Sequence, residues 1–286
     1  MKISVIGSQG QVGSELVSAA LAKGWDVQSL DHTEVDVTDP QSLRTALGVF
    51  APDYVVNTAA FHNVGECEKY PETAIEVNAL GAKNVAETAS DLGAVAVYFS
   101  TDYVFDGKIE FGDFYFPQDP TNPLNAYGVS KRDGEKVTLE TSPSNLVVRI
   151  SSVFGIKGNK SKGGNFVDKI LARVSSGEDA TVPGDNRMSP TYAVDAAQKT
   201  LALVESGNHG IWHANNHGSV SWLGFAQAIA YISKSRGKVF EPQGDPSESI
   251  LRPKNSSLAA ANIEGISGEL AWQFALERYL REKGVA

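Results

Sequence analysis

Residues 2–16, KISVIGSQGQVGSEL, join a short strand-like run to a helical pattern through a glycine-rich turn. The run at residues 3–6 is mostly apolar and β-branched, and the residues after the turn have the apolar spacing of a helix. The turn has the pattern G-x-x-G-x-x-G, formed by Gly7, Gly10 and Gly13. Glycine lets backbone N–H groups approach a pyrophosphate, and a helix N-terminus offers unpaired donors to an anion. The stretch predicts the first βα unit of a dinucleotide-binding sheet, although an ordinary tight turn can use the same spacing.

Strands and helices continue to alternate beyond this unit. Strand-like runs occur at residues 27–30, 54–56, 95–99 and 146–150, and the helical patterns between them include one at about 71–92 and one at about 127–139. Such alternation is typical of βαβ units, which form parallel sheets with right-handed crossovers. The predicted fold class is therefore α/β, a Rossmann-type doubly wound parallel sheet with a smaller C-terminal substrate-binding region.

The pattern changes after Ser151, where residues 155–164 are rich in glycine, lysine and asparagine. Helical patterns recur at about 166–174, 192–204, 222–232 and 268–282, with short strand-like runs at 211–213 and 238–240. We predict an NAD(P)-binding Rossmann domain at residues 1–151 and a mainly substrate-binding region at 152–286. A segment at about 191–215 is expected to pack back on the first domain.

The composition is that of a globular protein, with 42% hydrophobic and 21% charged residues. Lys and Arg total 25 against 34 Asp and Glu, so nucleic acid and anionic membranes are poor partners for this chain. A single cysteine, Cys67, excludes an internal disulfide scaffold and a Cys-rich zinc site. No apolar run approaches the roughly 20 residues of a membrane helix, and the N-terminus lacks a signal-peptide pattern. We expect a cytoplasmic protein without a metal site.

The second predicted strand is followed by Asp31, close to where dinucleotide-binding sheets carry an acid for the adenosine ribose. A carboxylate there accepts hydrogen bonds from the ribose hydroxyls and repels the 2'-phosphate of NADPH. Asp31 also fits the role of a plain turn residue. However, the chain has no Lys or Arg between Trp25 and Arg44 to receive a 2'-phosphate. The expected cofactor is NADH or NADPH, with NADH favoured.

Two further stretches carry acid–base chemistry. Tyr127 and Lys131 form Y-x-x-x-K, which on a helix places both side chains on the same face, one turn apart. A neighbouring ammonium stabilises a phenolate and brings the pKa of a tyrosine into a usable range. Thr101 follows the fourth predicted strand, at the sheet edge where doubly wound folds bind ligands. The three side chains predict a site in which Thr101 holds a substrate carbonyl oxygen beside the phenol.

Together these motifs resemble the extended short-chain dehydrogenase/reductase superfamily and, within it, the dTDP-4-dehydrorhamnose reductase family. The matching stretches span nearly the whole chain and are residues 7–16 (GSQGQVGSEL), 52–60 (PDYVVNTAA), 99–107 (FSTDYVFDG), 123–131 (PLNAYGVSK) and 252–258 (RPKNSSL). The STDYVF and R-P-x-x-S-x-L matches are specific to this family and its near relatives. The glycine and Tyr/Lys motifs belong to the whole superfamily.

The resemblance implies a role for each matched position. Tyr127 would be the proton donor, and Lys131 would bind the nicotinamide ribose and lower the pKa of the tyrosine. Thr101 and Asp102 would lie at the sugar. The remaining cofactor contacts would be Gly7, Gly10, Gln11, Val12 and Gly13 at the pyrophosphate, Asp31, Asp36 and Val37 at the adenosine half, and Ala59, Ala60, Phe61, His62 and Phe99 on the path toward the nicotinamide. His62 fits equally well as an ordinary loop histidine.

Two departures from the family pattern bear on the substrate. The family has Arg-Thr-Ser-Trp-Val-Tyr after the fifth strand, whereas residues 149–154 read RISSVF and place Ser152 at the position of the tryptophan that packs on the sugar. The family's Asp-Gln-x-Gly-x-Pro-Thr loop appears as DNRMSPT at residues 185–191. Ser152, Arg187 and Arg252 are expected to contact the substrate. The cations available to neutralise a nucleotide diphosphate are Arg187, Arg252, Lys157, Lys160 and Lys162.

The leading hypothesis is an NAD(P)H-dependent reductase of a nucleotide-linked 4-keto sugar, above all dTDP-4-dehydrorhamnose. One alternative is a non-catalytic regulatory subunit that binds dinucleotide and resembles the beta subunit of methionine adenosyltransferase. A second alternative is a nucleotide-sugar epimerase, which would retain NAD through its cycle. The expected partner is the nucleotide-sugar substrate, with no nucleic acid and no membrane, and a homodimer is left open.

Overall fold

The computed structural model describes residues 1–157, 164–242, 250–263 and 271–285, so the predicted cations Lys160 and Lys162 lie outside the described residues. The strands in these ranges are β1 (Lys2–Ile6), β2 (Asp26–Leu30), β3 (Tyr54–Asn57), β4 (Val95–Thr101), β5 (Leu146–Ile150), β6 (Val153–Phe154), β7 (Ala180–Thr181), β8 (Arg187–Met188), β9 (Thr191–Tyr192), β10 (Gly210–His213), β11 (Val220–Ser221) and β12 (Val239–Phe240). The α-helices are α1 (Gln11–Ala22), α2 (Pro40–Gly48), α3 (Val64–Lys69), α4 (Pro71–Ile75), α5 (Gly81–Asp91), α6 (Ala126–Thr141), α7 (Phe166–Ser175), α8 (Ala193–Glu205), α9 (Trp222–Ile232) and α10 (Trp272–Glu282).

Six parallel strands form the central sheet in the order β2, β1, β3, β4, β5, β10. The strand order reverses at β1, because β2 pairs with one edge of β1 and β3 with the other. Ile6 and Asn57, at the carboxyl ends of β1 and β3, lie side by side in register. Loops leaving such a reversal diverge to opposite faces and open a crevice in which doubly wound sheets bind ligands. The predicted α/β doubly wound parallel sheet is confirmed.

Helices cover both faces of the sheet. On one face α1 and α8 pack on an apolar cluster that includes Val5 and Leu16. On the other face α2 and α5 contribute to a second cluster, which includes Leu43 and Val55. A strand that is buried on both faces has no polar side to show, which explains why these segments read as continuous apolar runs in the sequence.

The predicted helix over residues 71–92 is interrupted by a π-helical turn, Glu76–Leu80, between α4 and α5. Asn78 lies in this turn. Its side-chain amide donates hydrogen bonds of 2.9 Å to the carbonyl oxygen of Phe61 and to Ser130 Oγ. The turn therefore ties the segment after β3 to α6. Apolar periodicity did not reveal it, because α4, the turn and α5 all pack against α6.

The residues after β5 build a second apolar core among α7, α9 and α10. Its centre is aromatic, and Phe154 stacks on Tyr192 with 5.5 Å between ring centroids and meets Tyr279 edge-on at 5.3 Å. Two elements of this half return to the first half, since β10 is the sixth strand of the sheet and α8 packs against α1. Through β10 and α8, the second half of the chain is therefore packed directly on the central sheet and on α1.

Two features are absent from the described ranges. These ranges hold no helix that is long and apolar enough to cross a bilayer. They also hold no group of three or more His, Cys, Asp or Glu side chains placed to bind a metal ion. Cys67 is buried, and its Sγ donates to the carbonyl oxygen of Phe61 at 3.2 Å, an arrangement that fits a structural cysteine.

Candidate active site

A cavity of about 700 Å³ lies where β1, β3 and β4 end. The sequence-predicted site residues that line it are Gly10, Gln11, Val12, Gly13, Ala60, His62, Phe99, Thr101, Tyr127, Lys131 and Ser152. The C-terminal half contributes Gly164, Asn165, Phe166 and Lys169 to the same wall. One cavity thus brings the glycine loop together with the three predicted catalytic side chains.

The glycine loop has the features of an anion site. Gly7 turns the chain with φ at 80°, and α1 begins at Gln11 without a side-chain hydrogen bond to its first turn. The first N–H groups of a helix carry partial positive charge and attract an anion. Ser8 Oγ and Gln11 Oε1 are buried and have no hydrogen-bond partner within the described part of the chain. These orphaned atoms and the exposed backbone fit the pyrophosphate and ribose of a dinucleotide.

Gly13 is the loop position where a side chain would cause the closest clash. A Cβ there would lie 2.3 Å from the carbonyl oxygen of Gly7 and 2.9 Å from Thr58 Oγ1. We expect Gly13→Ala to force the loop apart and to weaken NADH and NADPH binding about ten-fold or more, as measured by calorimetric titration. Gly48→Ala is the matched control, since its Cβ would meet no atom within 4 Å. Equal cofactor affinity for the two variants would contradict the role of the loop.

The residues predicted at the adenosine half lie beside the cavity rather than in its wall. Asp31 Oδ1 accepts hydrogen bonds from the hydroxyl and the N–H of Thr33 at 2.6 and 2.8 Å, and these bonds hold the pKa of the carboxyl below its usual value. The neighbouring His32 does line the cavity, a contact that the sequence analysis did not anticipate. Asp36 is exposed, and Val37 is buried in the apolar cluster under α2 and α5.

The start of α6 places Tyr127 against the end of β4. Asn125 caps the helix, and its Oδ1 accepts the N–H of Gly128 at 2.9 Å. Gly128 allows close contact, because a Cβ there would lie 2.2 Å from the carbonyl oxygen of Tyr103. Thr101 ends β4 and lines the same cavity as Tyr127. The packing of α6 against β4 brings the two side chains to this cavity.

Burial sets the protonation of the two titratable side chains. It raises the pKa of the Tyr127 phenol. Lys131 is 2% exposed, and burial lowers its pKa to about 7 although the carboxylate of Glu135 raises it. The phenol is protonated at neutral pH, as a proton donor must be. The lowering of its pKa by Lys131, which the resemblance implies, stays a prediction.

Asp102 lies behind Thr101 and does not reach the cavity, which differs from its expected place at the sugar. It is 3% exposed, and its carboxylate is bonded to the hydroxyls of Ser256, Ser151 and Thr101. Burial raises its pKa to about 6, and the three hydroxyls oppose that rise. The side chain points toward the protein interior, where the three hydroxyl groups donate hydrogen bonds to it.

The segment after β3 reaches the cavity at alternate residues. Ala60 and His62 line the wall, and His62 Nδ1 lies 3.3 Å from the carbonyl oxygen of Ala60. Ala59 and Phe61 do not line it. The N–H of Phe61 donates to Asn78 Oδ1 at 2.8 Å and the N–H of Ala59 donates to Asn57 Oδ1 at 3.0 Å, so the backbone of both predicted cofactor residues holds the segment in place.

Beside the predicted Ser152, the cavity wall contains groups that sequence reasoning missed, namely Ser100, Phe166 and Lys169. Ser152 lines it with φ at 46°, a left-handed conformation that is unusual for a residue other than glycine. Phe166 and Lys169 reach it from α7, and the Phe166 ring meets Trp222 at 4.5 Å. Ser100 adds a buried Oγ that has no hydrogen-bond partner within the described ranges. The signal for Phe166 was its place at the start of a helix just after the Gly/Lys/Asn stretch.

The two predicted substrate arginines lie apart from this cavity. Arg252 lines a second cavity of about 440 Å³. The guanidinium of Arg187 lies 5.7 Å from the ring centroid of Phe111, which lines the same second cavity. The cation that lines the substrate side of the first cavity is Lys169. Sequence spacing gave no indication of this separation, because it depends on how the last third of the chain folds over the first.

Comparison with known proteins places the chain in a family. The sequence profile of the family described as RmlD substrate binding domain matches residues 1–284. The spore coat polysaccharide biosynthesis protein SpsK of Bacillus subtilis is 35% identical over 288 residues, with 100% of this chain and 99% of that protein covered. The chain therefore belongs to this family.

Solved structures show the same fold over the full length. A dTDP-4-dehydrorhamnose reductase ortholog from Clostridium acetobutylicum has a TM-score of 0.90 and 30% identity, covering 99% of this chain and 100% of the other. The dTDP-4-dehydrorhamnose reductase of Bacillus anthracis, solved in complex with NADP, has a TM-score of 0.90 and 29% identity, covering 98% and 99%. The Rossmann-type architecture predicted from the alternating pattern is that of these structures.

Proposed function

We propose that this member of the RmlD substrate binding domain family reduces a nucleotide-linked 4-keto sugar, with dTDP-4-dehydrorhamnose as the first candidate. It is an oxidoreductase that depends on NADH or NADPH. The observation that carries the proposal is that the glycine loop, Thr101, Tyr127 and Lys131 all line one cavity. Relatives named as dTDP-4-dehydrorhamnose reductases support the substrate class.

Different residues of the cavity have different roles in the proposed reduction. A dihydronicotinamide held in this cavity would supply the hydride for the carbonyl carbon of the sugar. Tyr127 donates its phenol proton to the carbonyl oxygen, which becomes the new hydroxyl. Thr101 lines the cavity beside the phenol, and Lys131 lies on the same face of α6 as Tyr127, where it would bind the nicotinamide ribose. The glycine loop and the start of α1 hold the pyrophosphate.

The substrate side of the cavity suits a sugar attached to a diphosphate. Phe166 offers an apolar ring, and Lys169 offers a positive charge near it. Ser152, where the family has tryptophan, leaves that side of the cavity without one stacking surface. We propose that binding relies on the nucleotide diphosphate more than on the hexose ring, and that residues 152–286 supply most of these contacts.

The cofactor preference is a further prediction. The carboxylate of Asp31 remains ionised near the adenosine ribose and repels a 2'-phosphate, so we expect NADH to bind about five-fold more tightly than NADPH. Asp31→Asn keeps an acceptor for Thr33 and should bring the affinities for NADH and NADPH to within about two-fold of each other. Asp26→Asn, at the other end of β2, makes the same charge change and should leave the ratio unaltered. Calorimetry with both reduced cofactors measures this, and tighter NADPH binding by the wild type would overturn the assignment of Asp31.

The proposed reaction is tested by offering several nucleotide 4-keto sugars to the purified protein with NADH or NADPH. Loss of the reduced cofactor and formation of the reduced sugar are followed together, with Tyr127→Phe as the inactive reference. We expect turnover of dTDP-4-dehydrorhamnose, and competition by free dTDP almost as strong as by the full product.

Each other outcome identifies a different function. Tight cofactor binding with no turnover of any keto sugar, together with copurification of a synthetase, would replace the proposal with a regulatory subunit. Retention of NAD through purification, with interconversion of two sugars and no net cofactor oxidation, would indicate an epimerase. Turnover of another 4-keto sugar in preference would keep the reaction and change the substrate.

A further inference from the structure

Asp102 connects two sequence motifs that lie far apart in the chain. It belongs to the STDYVF stretch after β4, and its Oδ2 accepts a hydrogen bond of 2.5 Å from Ser256, the serine of the R-P-x-x-S-x-L stretch, 154 residues away. The same oxygen accepts from Ser151 Oγ at 2.9 Å. Asp102, Ser151 and Ser256 are all nearly fully buried. The carboxylate is therefore fixed by donors from two other parts of the chain.

The second oxygen of this carboxylate holds the hydroxyl of Thr101. Thr101 Oγ1 donates to Asp102 Oδ1 at 3.1 Å and accepts the N–H of Tyr103 at 3.2 Å. A threonine hydroxyl has one hydrogen, so a hydrogen held by Asp102 leaves the oxygen lone pair to face a donor. Thr101 lines the same cavity as Tyr127, so the orientation of this hydroxyl is fixed beside the phenol. Asp102 thus determines which way the Thr101 hydroxyl points.

We propose that Asp102 is a positioning residue that, anchored by Ser256 and Ser151, holds the Thr101 hydroxyl in one orientation at the wall of the cavity that Tyr127 also lines. The Ser256 contact gives the C-terminal motif a role in the reaction without any contact with substrate. Asp102 does not line the catalytic cavity, so its effect on the reaction passes through Thr101. The inference rests on the proposed reductase function for its kinetic readout but not for its structural one.

The kinetic test compares Asp102→Ala with Asp102→Asn. The alanine variant loses the acceptor for Thr101, and we expect kcat to fall ten-fold or more while KM and the dissociation constant of NADH stay within about three-fold of wild type. The asparagine variant keeps an Oδ1 acceptor, and the two serine hydroxyls can rotate to suit the amide, so it should restore kcat to within about three-fold of wild type. An asparagine variant as impaired as the alanine variant, or equal losses in kcat and cofactor affinity, would overturn the proposal.

A matched pair in the C-terminal motif isolates the anchor. Ser256→Ala removes one donor to Asp102, and we expect kcat to fall about five-fold. Ser257→Ala is the control, since Ser257 is equally buried but its Oγ has no hydrogen-bond partner within the described ranges. The kcat of Ser257→Ala should match that of the wild type. An equal loss of kcat in both variants would show a packing effect of the segment and would contradict the anchoring role of Ser256.

Crystal structures separate a failure of this proposal from a failure of the proposed function. If the wild type turns over no keto sugar, the reductase assignment fails, yet the position of Thr101 can still be compared between variants. We expect the Thr101 side chain to keep its wild-type orientation in Asp102→Asn and to rotate away from it in Asp102→Ala. An unmoved Thr101 in Asp102→Ala would refute the positioning role.

Discussion

Tyr127→Phe is expected to slow reduction of the keto sugar by about 10²–10⁴, because the variant keeps the ring and loses the proton that the carbonyl oxygen must receive. The Phe ring can keep its edge-on contact with Tyr103, whose centroid lies 6.0 Å away. The glycine loop is untouched, so the dissociation constant of NADH should stay within about two-fold. Single-turnover rates with saturating cofactor, together with calorimetric titration, separate the two quantities.

Two further variants test whether Tyr127 is the proton donor. Tyr231→Phe removes the same atom from a side chain that is 85% exposed, and it should behave as wild type. Lys131→Ala should lose both turnover and cofactor affinity, because the lysine is expected to act on the nicotinamide ribose as well as on the phenol. If Tyr127→Phe turned over substrate within a factor of two of wild type, Tyr127 would not be the proton donor.

The second large effect is expected on stability. Arg149 on β5 and Glu135 on α6 form a buried ion pair, with side chains 2% and 5% exposed and two parallel hydrogen bonds of 2.7 Å. Arg149→Met leaves the Glu135 carboxylate buried without its partner, which costs about 3–5 kcal/mol of the free energy of unfolding. For a chain of this size the midpoint of thermal unfolding should fall by about 10 °C.

Two controls distinguish the lost pair from lost volume. The double variant Arg149→Met with Glu135→Leu removes both charges, and we expect it to recover most of the loss, since a packed apolar pair can replace a buried ion pair. Lys136→Met breaks the exposed pair with Glu140 on the same helix, where the charged atoms lie 3.8 Å apart, and should change stability by less than about 0.5 kcal/mol. A double variant less stable than Arg149→Met would contradict the assigned cause.

Local sequence determined the sheet and the cofactor side of the site. The strand-like runs at residues 54–56 and 146–150 appear in the structure as β3 and β5, because a strand buried on both faces is mostly apolar. Arg149 on β5 is an exception, and its charge is paired with that of Glu135. The glycine loop and the Tyr127–Lys131 spacing could also be recognised from local sequence. Each depends on residues within one turn or one helix, whose relative positions are set by the backbone.

Tertiary structure decided how distant segments meet. Three features depend on contacts between segments far apart in sequence. They are the π-helical turn at Glu76–Leu80, the position of Phe166 in the wall of the first cavity and the position of Arg252 in the wall of the second cavity. Asp102 shows the same effect within the catalytic motif itself. Its sequence neighbour is Thr101, but its interior orientation is set by Ser256, which only the folded chain brings within 2.5 Å. A residue's type and spacing limit what it can bond, whereas the partner it does bond is selected by the packing of the whole chain.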